Sequence, residues 1–336
     1  MTRKPGRLLR IGIGAAVSAG CIAFILWRVD LDALWRALTE FRWIFVVFAL
    51  AALALDYSLR ILRWTLMLRH AGAAVSAADC APAFLGSMAL NNILPLRAGD
   101  IVRALVFPLS LGVRRTASTA TLVLERVLDF LALMICFGVG VWLSPTLRIP
   151  ILEKDLLLAL TTLVGGLVIM LVFFASGIGR TVQLLVGWTA QCGWPKVSTI
   201  LKHLRELLGS LYLISRVRVL AWLTLLSILV WLANAGLFLA VLRGFSIPSP
   251  PSTALVIMAI ATLSTLVPSS PGYVGPFHLA AYAALIMIGA SQSTAAGFAL
   301  ISHLVLWVPV TIAGLFAITL TPSLFRKTTR DRAIQE

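Results

Sequence analysis

A polar stretch between two apolar segments has the composition of an anion-binding site. It contains Asn91, Asn92, Pro95, Arg97, Gly99, Asp100 and Arg103. A guanidinium presents paired, planar N–H donors that suit a phosphate, and the free N–H groups at the start of a helix add affinity for an anion. The sequence therefore predicts that Arg97 and Arg103 bind an anionic headgroup, with Asp100 holding Arg97. Asn91 and Asn92 are predicted to donate hydrogen bonds to it. In the alternative interpretation, Asp100 pairs with Arg97 or Arg103 and only stabilises the loop.

Charged residues in the next long apolar segment extend this candidate site. Glu125 and Asp129 are four residues apart and therefore share one face of a helix. They either balance the arginines of the polar stretch or form an interhelical salt bridge, and the sequence leaves both interpretations open. Glu125 and Arg126 are candidate substrate-binding residues, and Asp129 is a candidate relay. Asp56 and Arg60 are one helical turn apart, which predicts a local ion pair.

A second polar stretch, near residues 268–276, is rich in proline and glycine. Together the two stretches supply the candidate structural breaks, which are Pro95, Gly99, Pro268, Pro271, Gly272 and Gly275. A regular helix does not tolerate this density of proline, so the helix must stop and restart. His278 and His303 follow and are candidate proton relays. The alternative is that each histidine is a packing residue held by hydrogen bonds.

We expect neither a metal nor a cofactor from these residues. Two histidines do not make a metal site without further ligands. The four cysteines lie far apart and lack CxxC spacing, so they indicate neither a zinc site nor a disulfide framework. The sequence also contains no GxxxxGK[ST] loop that would bind a nucleotide.

The composition places these polar stretches in a membrane. Of the 336 residues, 60% are hydrophobic and only 12% are charged, whereas a soluble domain is about 45–50% apolar and about 25% charged. This excludes a soluble enzyme and a disordered chain. The net charge of +15 would suggest nucleic acid in a soluble protein, but here the basic residues fall between apolar runs. They therefore indicate topology through the positive-inside rule, and we expect no nucleic-acid partner.

The apolar runs predict an all-α integral membrane protein. Six runs are long enough to be full transmembrane helices, near residues 9–27, 43–62, 117–143, 156–175, 219–242 and 294–320. Four shorter arms lie near residues 80–94, 101–112, 252–267 and 276–289. An arm of about 14 residues reaches roughly 21 Å, which is short of the ~30 Å hydrocarbon core. Each pair of arms is therefore predicted to be a re-entrant helical pair with a break at its tip.

The order of these elements predicts an inverted repeat within a single transmembrane domain, residues 1–336. Repeat one covers about residues 9–143, and repeat two covers about residues 156–320. When Pro95 is aligned with Pro268, Gly99 falls on Gly272. Each repeat has three full spans, an odd number, so the second repeat must be inverted and the two re-entrant pairs oppositely oriented. Inverted repeats with broken helices are a transporter architecture.

The repeats are joined by residues 177–218, which are rich in Lys and Arg. Their leucines recur at helical spacing, which predicts a basic amphipathic helix on the cytoplasmic surface of the membrane. The alternative is a plain cytosolic linker helix.

Three motifs resemble those of the lysylphosphatidylglycerol synthase transmembrane-region family, in its stand-alone, flippase-like form. They are Asn92-x-x-Pro95-x-Arg97-Ala98-Gly99-Asp100-x-x-Arg103, Glu125-Arg126-x-x-Asp129 and Pro271-Gly272-x-x-Gly275. The resemblance covers roughly residues 10–320 and implies lipid translocation or lipid-carrier handling, including hopanoid-associated and polyprenyl-carrier roles. It does not imply aminoacyl transfer, because that activity belongs to a soluble domain and the chain ends at Glu336. The family usually has Glu at the position of His278 and often Arg at that of His303.

These features predict a lipid flippase or lipid-carrier transporter that moves an anionic or polyprenyl- or hopanoid-type lipid between leaflets. The alternative is an accessory partner of a lipid-modifying enzyme. A membrane enzyme that acts on lipids is the less favoured hypothesis, since the sequence contains neither HExxH nor GxSxG. We therefore expect a membrane lipid as the ligand, no enzymatic activity, and a multi-pass location in the bacterial inner membrane.

The distribution of the 28 Lys and Arg residues predicts that both termini are cytoplasmic, because this orientation leaves most of them on that side. Membrane-impermeant thiol reagents added from outside should label cysteines introduced near Asp32, Lys154 and Gln292. Labelling of a cysteine near Thr328 from the outside would reverse the orientation.

Overall fold

The prediction of an all-α protein is confirmed over the described part of the chain. The computed structural model describes residues 5–144 and 217–325, with isolated helical positions at 159, 162, 163, 165, 166 and 209. Within these residues the regular secondary structure is helical throughout. The predicted span 156–175 and the predicted linker 177–218 fall outside the two continuous ranges.

The helix positions follow the apolar runs of the sequence. In chain order the helices are α1 (Pro5–Arg28), α2 (Leu31–Thr39), α3 (Ile44–His70), α4 (Ala77–Ile93), α5 (Ala98–Leu105), α6 (Phe107–Ser110), α7 (Arg115–Leu143), α8 (Val217–Gly244), α9 (Pro251–Leu263), α10 (Pro276–Met287) and α11 (Gln292–Leu320). Short 3₁₀ turns cover Pro95–Arg97, Ser264–Leu266, Pro271–Tyr273 and Pro322–Phe325. By length and composition, α3, α8 and α11 are each able to cross a membrane.

Helix α2 lies between the predicted spans 9–27 and 43–62, where no helix is predicted from the sequence. Asp30 caps it by accepting hydrogen bonds from the backbone N–H groups of Asp32 and Ala33, and its axis is bent by 89° from α1. Trp35 on α2 is exposed, as are Trp27 and Trp43 on either side of it. Exposed tryptophans of this kind are typical of the membrane–water interface.

The first pair of arms is more broken than predicted. Residues 101–112 do not form one arm, because the chain leaves α5 at Val106 and restarts in the single turn of α6. Helices α4 and α5 pack closely as a hairpin. A Cβ at Gly99 would overlap the Ser87 carbonyl oxygen of α4, so this position needs glycine for the close approach of the two backbones.

Contacts between the helices cross from the first half of the chain to the second. Helix α3 packs along α8, α4 packs against α11, and α9 packs against α7. At one end of the molecule the Ser144 hydroxyl donates to Ser252 (2.8 Å), and the Arg42 N–H donates to the Gly244 carbonyl (2.9 Å). These contacts bring the two polar stretches together between the halves.

Helices α4 and α11 pack so closely that an added side-chain atom at their interface should destabilise the fold. A Cβ at Gly314 would meet the Leu85 backbone, whereas a Cβ at Gly20 of α1 would meet nothing within 4 Å. We expect Gly314→Ala to lower the free energy of unfolding by about 1–3 kcal/mol, as overpacking does. Gly20→Ala is the matched control and should be neutral or slightly stabilising, because alanine favours the helix. Melting in detergent measures both, and equal melting temperatures would contradict the proposed packing.

Candidate functional site

The first break is a strained turn at the tip of the α4–α5 hairpin. Leu96 and Arg97 both have left-handed backbone conformations, with φ of 62° and 52°, which non-glycine residues rarely adopt. The turn is closed by Asn91 and Asp100, which exchange two hydrogen bonds. The Asn91 amide donates to the Asp100 carboxylate (2.9 Å), and the Asp100 N–H donates to the Asn91 carbonyl oxygen (3.0 Å). Backbone strain held by such a closure often marks a functional position.

The second break shows the same kind of strain. Gly272 and Tyr273 have φ of 75° and 59°, and Gly275 has φ of 103°. His303 Nε2 donates to the Gly272 carbonyl oxygen (2.7 Å), and His278 Nδ1 accepts a long hydrogen bond from the Gly275 N–H (3.5 Å). Both histidines are buried. They therefore hold the backbone of this break.

The two breaks meet. The Arg97 guanidinium lies over the Tyr273 ring, 5.4 Å from its centroid, and Arg97 Nη2 donates to the Thr265 hydroxyl (3.5 Å). Between the breaks lies a cavity of about 770 Å³ that both of them line, with Ala15 of α1 in its wall. Its lining includes the predicted break residues Pro95, Pro268, Pro271 and Gly272.

A network of ion pairs lies next to the first break and links α3, α5 and α7. Its arginines are Arg60, Arg63, Arg103 and Arg126, and its acids are Asp56, Asp100, Glu125 and Asp129. The four positive and four negative charges cancel. All but Arg60 and Arg126 are buried, and buried charges persist only when they are paired in this way.

Arg103 makes its ion pairs within this network and does not line the cavity. It donates to both oxygens of Glu125, at 2.9 and 3.1 Å, and its guanidinium lies over the rings of Phe84 and Trp64. Only 1% of its surface is exposed. Glu125 therefore forms an interhelical salt bridge, and because Arg103 belongs to the polar stretch, the same pair also balances an arginine of that stretch.

Asp100 pairs with a different arginine from the one that the sequence had suggested. Its carboxylate accepts a hydrogen bond from Arg126 (2.7 Å) and lies 3.8 Å from Arg103, whereas Arg97 donates to Thr265. The prediction that Asp100 holds Arg97 is thus wrong. The alternative, in which Asp100 pairs with Arg97 or Arg103 and only stabilises the loop, agrees in part, because Arg103 lies within ion-pair distance while the hydrogen bond comes from Arg126.

The other predicted polar residues hold neighbouring helices together. Asp129, a candidate relay, accepts from Arg63 (2.7 Å), and Asp56 forms the predicted local pair with Arg60 (3.0 Å). The Asn92 amide donates to Thr311 of α11 (2.9 Å). Of the predicted substrate-binding residues, Asn91 and Arg97 line the cavity.

The rings of His278 and His303 lie side by side, with centroids 4.5 Å apart. Phe277 and Trp307 flank His303. This agrees with the alternative of packing residues held by hydrogen bonds, and the relay role stays a prediction. Within the described ranges, no group of His, Cys, Asp or Glu is arranged to hold a metal ion.

Several site residues were not predicted from the sequence. Arg63 has no exposed surface and donates to both Asp129 and Ser227, but it reads as a flanking arginine at the end of a predicted span. Its spacing of three from Arg60, on the same helix face, was the available signal. Thr265 and Tyr273 contact Arg97 across the two halves of the chain, and nothing local in the sequence marks them.

The fold and site define an all-helical membrane protein in which two broken helices meet at a cavity. The chain belongs to the family described as the lysylphosphatidylglycerol synthase TM region, whose model matches residues 11–314. This confirms the family resemblance that the motifs suggested. No curated protein matches the chain significantly.

We expect substitutions of Arg103 and Glu125 to be strongly coupled in their effect on the free energy of unfolding. Arg103→Met leaves the buried Glu125 carboxylate without its main partner, and breaking a buried pair costs about 3–5 kcal/mol. The double variant Arg103→Met with Glu125→Leu removes both charges and should recover most of this loss. Thermal unfolding of the purified variants measures the coupling. A double variant no more stable than Arg103→Met would contradict the role assigned to this pair.

Proposed function

We propose that the protein is a lipid flippase or lipid-carrier transporter, and that the cavity between the two breaks receives the lipid headgroup. The cavity carries this proposal. Its volume of about 770 Å³ lies within the ~300–1,000 Å³ of pockets that hold small molecules. Irregular backbone at membrane depth is tolerated where it lines such a cavity. The candidate cargo is an anionic or a polyprenyl- or hopanoid-type lipid.

The transport proposal includes six full spans and two re-entrant pairs related by an inverted repeat. In an inverted repeat, a contact between an element of the first half and an element of the second half occurs twice, with the halves exchanged. Helix α4 corresponds to α9, and α7 corresponds to α11. The packing of α4 on α11 and of α9 on α7 is such a pair of contacts. Each break also contains two successive residues with positive φ. In each half the following long helix reaches back to its break, through Arg126 to Asp100 and through His303 to Gly272, both at 2.7 Å.

The two re-entrant pairs open at opposite ends of α7, which supports opposite orientations of the pairs. The first pair leads directly into the start of α7 at Arg115. In the second pair, Val256 near the start of α9 clusters with Val141, near the end of α7, and Ile288, which directly follows α10, packs against this cluster. In this proposal the first pair faces the cytoplasm, both termini are cytoplasmic, and the membrane is the bacterial inner membrane.

The pairing of the charged residues supports transport rather than catalysis. Each of the four carboxylates in the network lies within ion-pair distance of an arginine. Among the described residues, none of these four carboxylates lines the cavity, where a membrane enzyme would need a free general base. We therefore propose that the protein binds and moves a lipid without altering it.

Filling the cavity tests this function. Ala15 lines the cavity, and its exposed neighbour Ala16 on α1 does not, so the two positions form a matched pair. In proteoliposomes with fluorescently labelled lipids, dithionite quenching reports the rate of movement between leaflets. We expect Ala15→Trp to lower this rate by more than about tenfold, because a blocked headgroup loses binding energy of at least 1.4 kcal/mol.

Ala16→Trp should transport at the wild-type rate. Equal rates for the two variants would show that the cavity is not on the path. Failure of the wild-type protein to move phosphatidylglycerol, phosphatidylethanolamine and a polyprenyl phosphate alike would contradict the transport function itself.

A further inference from the structure

We propose that the cavity selects a lipid whose headgroup carries a net negative phosphate, and that this phosphate takes the place of Tyr273 and Thr265 as the partner of Arg97. The inference rests on the proposed function and names the substrate class of its site. It follows from the charge balance of the described residues, from the present partners of Arg97, and from the hydroxyl groups around it.

The ion network leaves Arg97 as the unbalanced charge. The four arginines and four acids of the network cancel one another. Arg97 stands outside the network, and among the described residues no acidic side chain lies within ion-pair distance of it. It is also the one charged residue in the described lining of the cavity. The cavity therefore carries a net positive charge.

The groups that now contact the Arg97 guanidinium satisfy its hydrogen-bond donors and its charge poorly. The hydrogen bond to Thr265 is 3.5 Å long, which is at the limit of such bonds. The Tyr273 ring offers only the negative face of its π system. A guanidinium in an apolar, partly buried site is stabilised far better by an anion that accepts two parallel N–H bonds. A phosphate oxygen pair provides this geometry.

The groups around Arg97 suit the remaining phosphate oxygens. Ser269 lines the cavity, and its hydroxyl makes only a long hydrogen bond to the Ser270 carbonyl (3.5 Å). Tyr273 also lines the cavity, and its hydroxyl makes no hydrogen bond among the described residues. Both can donate to a phosphate. The strained backbone at Arg97 and Tyr273, with φ of 52° and 59°, holds the two side chains opposite each other across the opening.

The same charge balance disfavours the other headgroups. A headgroup with net positive charge, such as an aminoacylated one, would face Arg97 with no carboxylate in the described lining to receive it. A neutral terpenoid would leave the guanidinium without a counter-ion, which is costly in a membrane. A phosphodiester lipid such as phosphatidylglycerol supplies one negative charge and matches the single arginine.

Headgroup selection is measured in proteoliposomes with labelled phosphatidylglycerol, phosphatidylethanolamine and lysyl-phosphatidylglycerol. We expect wild-type protein to move phosphatidylglycerol fastest. Arg97→Gln should lower that rate roughly 10- to 100-fold, which is the value of a lost charge-assisted bond, and Arg97→Glu should favour the lysyl lipid instead. Arg36→Gln, a charge lost from the exposed face of α2, is the control and should match the wild type. Equal rates for all three lipids, with no change of order in Arg97→Glu, would overturn the proposal.

Binding in detergent separates this proposal from transport. Phosphatidylglycerol should raise the melting temperature of the wild type and of Arg36→Gln but not that of Arg97→Gln. If this shift is seen without any lipid movement, the headgroup assignment holds and transport is wrong. If Arg97→Gln, folded as shown by its own melting transition, is stabilised as much as the wild type, the assignment is wrong. Inorganic phosphate is the last probe. If it raises the melting temperature as much as the same concentration of phosphatidylglycerol does, the site binds soluble phosphate rather than a lipid.

Discussion

The mutual neutralisation of four arginines and four carboxylates is the interaction on which the rest of this structure depends. The network joins α3, α5 and α7, and most of its members are buried. A charge in a membrane interior persists only when it is paired or faces a cavity. Arg126 contacts Asp100, Glu125 and Asp129 and so connects the break to both ends of the network. The position of the first break is therefore fixed by electrostatics as well as by packing.

This constraint also decides which residue is free to bind a ligand. Motif spacing treats Arg97 and Arg103 alike, because both lie near the same loop and both have a guanidinium. The structure separates them, since Arg103 faces Glu125 between two aromatic rings and Arg97 faces the cavity. The left-handed backbone at Arg97 turns its side chain away from the hairpin. Of these two similar arginines, the one with the strained backbone, Arg97, is therefore the candidate ligand-binding residue.

The sequence could predict those features of the fold and the site that leave a pattern in neighbouring residues. The apolar runs located α1, α3, α7, α8 and α11 to within a few residues at most ends, because burial in a membrane demands long hydrophobic segments. The run ending near 62 missed the last turns of α3, where Arg63 and Arg69 read as flanking charges. The break of the second arm at Val106 had a local signal that the prediction of one arm over residues 101–112 did not use, because Pro108 lies two residues after it and a helix rarely continues through a proline. Partners such as Tyr273 and Arg97 depend on how the two halves pack, which no local pattern records.

The two halves contribute different chemistry to one cavity. From residue 219 to residue 325 the chain has a single Lys, Arg, Asp or Glu residue, Arg243, so this segment cannot build an ion network of its own. There His303 reaches the Gly272 carbonyl in place of a charged pair. A histidine that bonds a backbone carbonyl stabilises a break without adding a charge that needs a partner. Among the described residues, the first half places the charged Arg97 at the cavity, and the second half places neutral hydroxyl groups and backbone there. The described lining therefore carries one uncompensated charge, on Arg97, and this is the observation behind the proposed selection of a single anion.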